Sequence, residues 1–312
     1  MKTFFDATAL LDSPEQLRHQ IAQDGYLFLK KVVPSSTLNE LREQIIEICL
    51  RHNWVKSSPD PLMAFSEHSP VVEGDEDYFP VYQEIQRLEA FHALAHEPSV
   101  INIMCRVLGK TVFPHPLSIC RLVFPNNTAW STPPHQDYPN NQGTEDLYAS
   151  WIPLGDCPQK LGSLAILRSS HLLGLLPLSY SLGAGHRQCV LDNRHEQLEW
   201  VSGDFASGDL LVFHSLTVHR ALPNKTKQMR LSVDYRFQRE YEDITAPCLE
   251  PHFQRESWEQ IYQGWQRQDL QYYWRNKQFN LVEWNSKMHD LSESEFKESI
   301  RIKLNYDRQR RR

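Results

Sequence analysis

His135 and Asp137 stand two residues apart in Pro133-Pro134-His135-Gln136-Asp137, and a second imidazole, His219, follows far along the chain. The two prolines hold the first segment extended, and alternate residues of an extended chain point the same way. His135 and Asp137 therefore face one point, while Gln136 faces the other side. His219 closes Gly208-Asp209-Leu210-Leu211-Val212-Phe213-His214-Ser215-Leu216-Thr217-Val218-His219, which reads as a turn, a buried strand and a histidine beyond its far end. Two imidazoles and one carboxylate cover one face of an octahedral metal and leave three positions open, an arrangement that suits iron(II). A lone His-x-Asp occurs often by chance, so the fourth residue carries weight. Arg230 lies eleven residues after His219, past the turn Pro223-Asn224-Lys225, at the start of Leu231-Ser232-Val233-Asp234-Tyr235. A return strand there carries its guanidinium inward, where it can clamp the far carboxylate of a dicarboxylic acid bidentately.

These residues need a scaffold of short strands. From Thr111 onward, β-rich segments alternate with turn signals: Ser118–Phe124, Tyr148–Leu154, Ser163–Leu167, Asp209–Phe213 and Leu231–Phe237. Such spacing predicts a sandwich, jelly roll or barrel. Before it the chain reads as mainly helical. Ser13-Pro14-Glu15 opens a helix that ends at Asp24-Gly25. Tyr26–Leu29 forms a short strand, and Leu38, Leu41, Ile45, Ile48 and Cys49 mark the inner face of a second helix. Further helices are expected over Phe79–His96 and Pro98–Leu108. After Pro251 the pattern reads as helical again, with Trp258, Tyr262 and Trp265 at i, i+4 and i+7. That stripe is read as packing against the barrel, with a lid or a homodimer surface as the alternatives. The expected organisation is one catalytic domain over 1–312: a mainly helical part at 1–110, a core with the metal site at 111–250, and an aromatic helical extension at 251–312.

The 312-residue chain carries a formal net charge of −6, with 40% hydrophobic and 23% charged residues. This mild acidity gives no electrostatic footprint for nucleic acid. The basic run Arg308, Arg310, Arg311 and Arg312 reads as a solvated end. No stretch approaches the roughly 20 apolar residues of a membrane span. The six cysteines are widely spaced and read as reduced thiols, so a cytoplasmic enzyme is expected.

The chain resembles the phytanoyl-CoA dioxygenase family of iron(II)/2-oxoglutarate oxygenases. The resemblance runs from Gln20-Ile21-Ala22-Gln23-Asp24-Gly25-Tyr26 to Phe237. It includes Trp151-Ile152-Pro153-Leu154-Gly155-Asp156, Leu161-Gly162-Ser163-Leu164 and Arg168-Ser169-Ser170-His171. It implies a double-stranded β-helix (a cupin-like jelly roll) with flanking helices. His135, Asp137 and His219 would bind Fe(II), and Arg230 would bind 2-oxoglutarate, with O2 as the oxidant. The resemblance also implies that Trp151 lines the cosubstrate pocket and that Ser118 or Arg121 assists. Where many members carry Gly-Ser-Gly after the distal histidine, this chain has Arg220-Ala221-Leu222, which puts a serine contact in doubt. Arg220 then either reaches the substrate or points to solvent. With Asp137 present, the position that related halogenases free for halide is filled, so hydroxylation or another C–H oxidation is expected.

The polar Pro-Asn-Asn-Gln loop after Asp137 fits a small polar metabolite. Mycosporine-type amino acids, which would lose an N-substituent on oxidation, are one candidate class. Two rival readings have no need of Arg230: a non-catalytic jelly-roll protein binding metal or ligand, and a cupin-type metal-dependent isomerase or hydrolase.

Overall fold

The computed structural model describes residues 1–126 and 128–310, so Arg311 and Arg312 of the basic tail lie outside the described residues. Two sheets form a jelly roll. The larger has the order Tyr26–Leu29, Leu210–His214, Tyr148–Pro153, Arg230–Arg239, Val112–Pro114, and Ile119–Val123 pairs with the same edge of the long Arg230–Arg239 strand. The smaller has the order Lys2–Thr3, Trp200–Ser202, Leu164–Leu167, His219–Ala221. The strands within the larger sheet pair antiparallel, so its side chains alternate between two faces.

Strand alternation decides what each face does. On the Arg230–Arg239 strand, Leu231, Val233, Tyr235 and Phe237 join the core that includes Leu38, Leu41, Ile45 and Ile48 of the helix Ser35–Arg51. The opposite positions, Arg230, Ser232, Asp234, Arg236 and Gln238, are polar yet buried. Trp151, Leu211 and Phe213 share that second side, in a cluster with Leu164 and Ile166 of the smaller sheet. The space between the sheets is therefore apolar along part of its length and polar along the Arg230 strand.

The first helix, Pro14–Asp24, ends at Gly25 with φ +79, where a β-carbon would sit 2.6 Å from both His171 Nδ1 and Thr217 Oγ1. Only glycine lets the chain turn this close to the loop that leads to His219. The expected Phe79–His96 helix is broken into Phe79–Gln86, Glu89–Ala93 and a turn of 3-10 helix at Leu94–His96. His92 Nε2 lies 2.8 Å from the Gln86 carbonyl, so a side chain takes over an acceptor at the break.

The expected helical stripe after Pro251 is also corrected. Its helix is one turn, Trp258–Ile261, and Gly264 at φ +86 ends the periodicity before Trp265. Trp258, Tyr262, Trp265 and Trp274 are still buried together against Phe113 and Leu270, held by ring contacts across turns. The one long helix of this region is Glu293–Arg310. Among the described residues no helix is long and apolar enough to cross a membrane.

Candidate metal and cosubstrate site

His135 and His219 are brought side by side by the backbone. His135 N donates to His219 O at 2.9 Å and His219 N donates to His135 O at 3.0 Å, an antiparallel bridge outside the named strands. Such a pair sends both side chains to one face, and the two rings lie 4.1 Å apart between centroids. Gln136 points the other way, as alternation requires. Its amide donates to Leu216 O and Gly174 O and its carbonyl accepts from Leu176 N, which pins the segment. The extended run stops at Asp137, whose backbone is already helical (φ −77, ψ −28). Asp137 N donates to Ser215 O at 2.8 Å, tying the carboxylate's segment to the loop before His219.

Ligand atoms of His135, Asp137 and His219 all lie within 4.8 Å of one another. Each imidazole Nε2 is 3.8 Å from Asp137 Oδ1. Nδ1 of His135 is 2.8 Å from Pro133 O, and Nδ1 of His219 is 3.0 Å from Thr217 O. A carbonyl only accepts, so each Nδ1 carries the proton and each Nε2 presents a lone pair, the second-sphere arrangement of metal-binding histidines. Burial pushes His135 down to about 3, with His219 beside it adding to the effect, and burial lowers His219 as well. Burial alone would raise Asp137, but the Arg236 guanidinium beside it holds its carboxyl below the ordinary value. Neutral imidazoles beside an ionised carboxylate are the protonation states that metal binding requires. The donor set fits iron(II).

Arg230 is 2% exposed. Its Nη1 donates to Gly162 O at 2.8 Å, its Nε has no partner, and it pairs with no carboxylate among the described residues. At Gly162 (φ +94) a β-carbon would strike Leu222 O at 2.7 Å, so the close approach of these segments depends on glycine. Trp151 lies on the same interior side. Its ring centroid is 5.7 Å from the Arg230 guanidinium carbon, and its Nε1 donates to Ser232 Oγ at 3.1 Å. A guanidinium stays charged even when burial lowers its pKa. A buried cation without an anion is costly by several kcal/mol, and a dicarboxylate would supply the missing charge.

The remaining sequence candidates separate. Arg121 lines the cavity beside the triad, but Glu73 takes its Nη1 at 2.6 Å and Asp234 takes its Nε at 3.0 Å. Ser118 does not join the group. It lines a small space among His92, Trp258 and Trp274, and its hydroxyl lies 3.4 Å from Pro116 O. Arg220 neighbours His219 on a strand and so points away from it. Its guanidinium stacks on Trp200 at 4.4 Å.

The triad's cavity, about 440 Å³, is lined by His135 and Asp137 and also by Arg236, His252, Trp284 and His289. Sequence reading passed over these four. Arg236 could have been found, because it shares strand parity with Arg230. Trp284 and His289 reach the site only through the irregular path of the C-terminal segment.

A family model described as Phytanoyl-CoA dioxygenase (PhyH) matches residues 21–232. The chain is 24% identical over 255 residues to 1-deoxypentalenic acid 11-beta-hydroxylase of Streptomyces exfoliatus, covering 76% of this chain and 86% of that protein. It is 20% identical over 224 residues to the peroxisomal phytanoyl-CoA dioxygenase of Homo sapiens, covering 69% and 65%. Among solved structures it is similar to the non-heme alpha ketoglutarate dependent epimerase SnoN from nogalamycin biosynthesis, with a TM-score of 0.53, 18% identity and coverage of 74% and 84%.

Proposed function

The chain belongs to the phytanoyl-CoA dioxygenase family of iron(II)/2-oxoglutarate-dependent oxygenases, and from that premise we propose that it oxidises a C–H bond of a small polar metabolite at the His135–Asp137–His219 group. The outcome is hydroxylation or loss of an N-substituent. His135, Asp137 and His219 would hold iron(II) and Arg230 would hold 2-oxoglutarate, and with O2 that centre would supply the oxidising power, at the expense of 2-oxoglutarate's conversion to succinate and CO2.

The residues divide the remaining work. His135 and His219 offer Nε2 because backbone carbonyls hold their Nδ1 protons. Asp137 offers the one carboxylate, and Arg236 Nη2, 3.0 Å from Oδ2, steadies it. Arg230 meets the distal carboxylate of 2-oxoglutarate, and Trp151 walls that pocket from water. The observation that carries this reading is the fully buried, anion-free Arg230 in the same interior as two imidazoles and a carboxylate. A structural metal site or a cupin isomerase gives no reason to bury such a cation.

The Streptomyces relative is named for hydroxylation of 1-deoxypentalenic acid, and SnoN is an epimerase from nogalamycin biosynthesis. The hydroxylase likeness supports reading this chain as a small-molecule tailoring enzyme, with mycosporine-type amino acids as one substrate class to test. Anaerobic addition of 2-oxoglutarate to the iron-loaded protein should raise a weak visible charge-transfer band, and a metabolite screen coupled to succinate release should then find the substrate. No band at saturating iron and 2-oxoglutarate contradicts the reading.

A further inference from the structure

Arg236 has more donors than the triad uses. It is 3% exposed, lines the 440 Å³ cavity and faces Asp137 through Nη2. Its Nε and Nη1 are buried without any hydrogen-bond partner. Leaving a buried charged donor unsatisfied costs about 1–3 kcal/mol or more, so the pattern asks for a ligand acceptor.

That acceptor is not the distal carboxylate assigned to Arg230. The two arginines lie six residues apart on one strand face, roughly 20 Å of backbone at about 3.3 Å per residue. Nor does the cavity's other guanidinium compete. Arg121 is already answered by Glu73 and Asp234. Among the described residues Arg236 is balanced only by Asp137, and a divalent cation on that carboxylate would claim the same charge. The same cavity is lined by His186, His289 and Trp284, and the Trp284 and His289 rings stack at 5.8 Å with planes 12° apart. The cavity therefore offers one anion-seeking cation beside the metal ligands and a pair of stacked rings in its lining.

We propose that Arg236 anchors the substrate by its carboxylate, so that the enzyme acts on a small, carboxylate-bearing molecule whose remainder packs along Trp284 and His289. This rests on the oxygenase reading and adds the substrate's chemical class and the residue that orients it. Anchoring at Arg236 would fix which carbon faces the metal ligands, since the guanidinium touches Asp137 itself.

The test uses the zinc-loaded, 2-oxoglutarate-bound protein, which binds without turning over. Saturation-transfer NMR measures the affinities of cyclohexanecarboxylate and N-acetylglycine, each beside its primary amide. Wild type should bind the carboxylates at least tenfold more tightly than the amides. Arg236→Gln should lose that preference, and Arg236→Lys should recover part of it, because an ammonium keeps the charge but not the planar donors. Both variants should keep most of their 2-oxoglutarate affinity, losing no more than about tenfold, or about 1.4 kcal/mol, through the weaker hold on Asp137. Equal binding of acids and amides by wild type overturns the proposal without needing any variant. So does an unchanged preference in Arg236→Gln. A hundredfold loss of 2-oxoglutarate in Arg236→Gln would make Arg236 the cosubstrate's clamp instead, and would also overturn it. Wild type that binds neither metal nor 2-oxoglutarate would sink the oxygenase reading, a result distinct from all of these.

Discussion

The Arg230–Arg239 strand has two faces built by the same alternation and put to opposite uses. Its helix-facing side, Leu231, Val233, Tyr235 and Phe237, is wholly apolar or aromatic and packs into the main core. Its interior side, Arg230, Ser232, Asp234, Arg236 and Gln238, is equally buried and wholly polar. Burial is thus not what separates the two. The first face satisfies itself, with the Tyr235 hydroxyl donating to Phe91 O at 2.5 Å. The second leaves donors of Arg230 and Arg236 unmet. A face that stays incomplete while buried is where ligands belong.

Substitutions should keep the two faces apart. The largest effect is expected at the interior site. Asp137→Ala removes the only carboxylate of the triad, so turnover at subsaturating iron should vanish, and because it also strips the buried Arg236 of its partner the urea midpoint should fall as well. Near wild-type turnover would show that the ligand set is misassigned. On the other face, Phe237→Ala should cost about 3–5 kcal/mol of stability by opening a core cavity, measured by urea unfolding. The folded fraction should still bind 2-oxoglutarate normally, and a selective loss of binding would blur the contrast between the faces.

Two buried histidines outside the metal group give a smaller, pH-dependent effect. Burial pushes His92 and His115 down to about 4. The unfolded chain, titrating near 6.5, takes up protons that these folded groups refuse. Stability is therefore intact above pH 6.5 and falls as pH drops from about 6.5 to about 4. The loss is on the order of 1–2 kcal/mol per histidine at pH 5. His92→Leu should lose less stability than wild type between pH 7 and pH 5, and parallel losses would contradict this. The smallest effect is optical. 2-Oxoglutarate should quench Trp151 fluorescence, and Trp151→Phe should abolish that response. An unchanged signal would assign it to another tryptophan.

The jelly roll was legible because its strands carry strand signals. Leu210–His214 reads as a continuous apolar run after a turn, Arg230–Arg239 alternates apolar and polar residues, and the Pro-Pro before His135 signals an extended segment. The C-terminal region was not legible, because Trp258, Tyr262 and Trp265 match helical spacing by residue type while Gly264 breaks the helix between them. Tertiary packing of large rings outweighs local periodicity there. At the site, residue types and spacing bring His135, Asp137 and His219 together, although Asp137 reaches the group from helical backbone that strand alternation does not describe. Arg220 and Ser118 could not be placed that way. Each lies on a strand or at its edge, and a shift of one position turns a side chain to the opposite face.

The central proposal is that Arg230, buried and paired with no carboxylate among the described residues, waits for the distal carboxylate of 2-oxoglutarate. Iron stoichiometry and anaerobic 2-oxoglutarate dissociation constants for wild type, Arg230→Ala and Arg230→Lys test it most directly. Truncating one partner of a buried charged pair costs about 3–5 kcal/mol, a loss of affinity on the order of 10² to 10³. Arg230→Ala should show that loss with iron binding intact, and Arg230→Lys should recover only part of it. If Arg230→Ala binds 2-oxoglutarate within about threefold of wild type, a difference under about 1 kcal/mol, the clamp is absent and the account of the site is wrong.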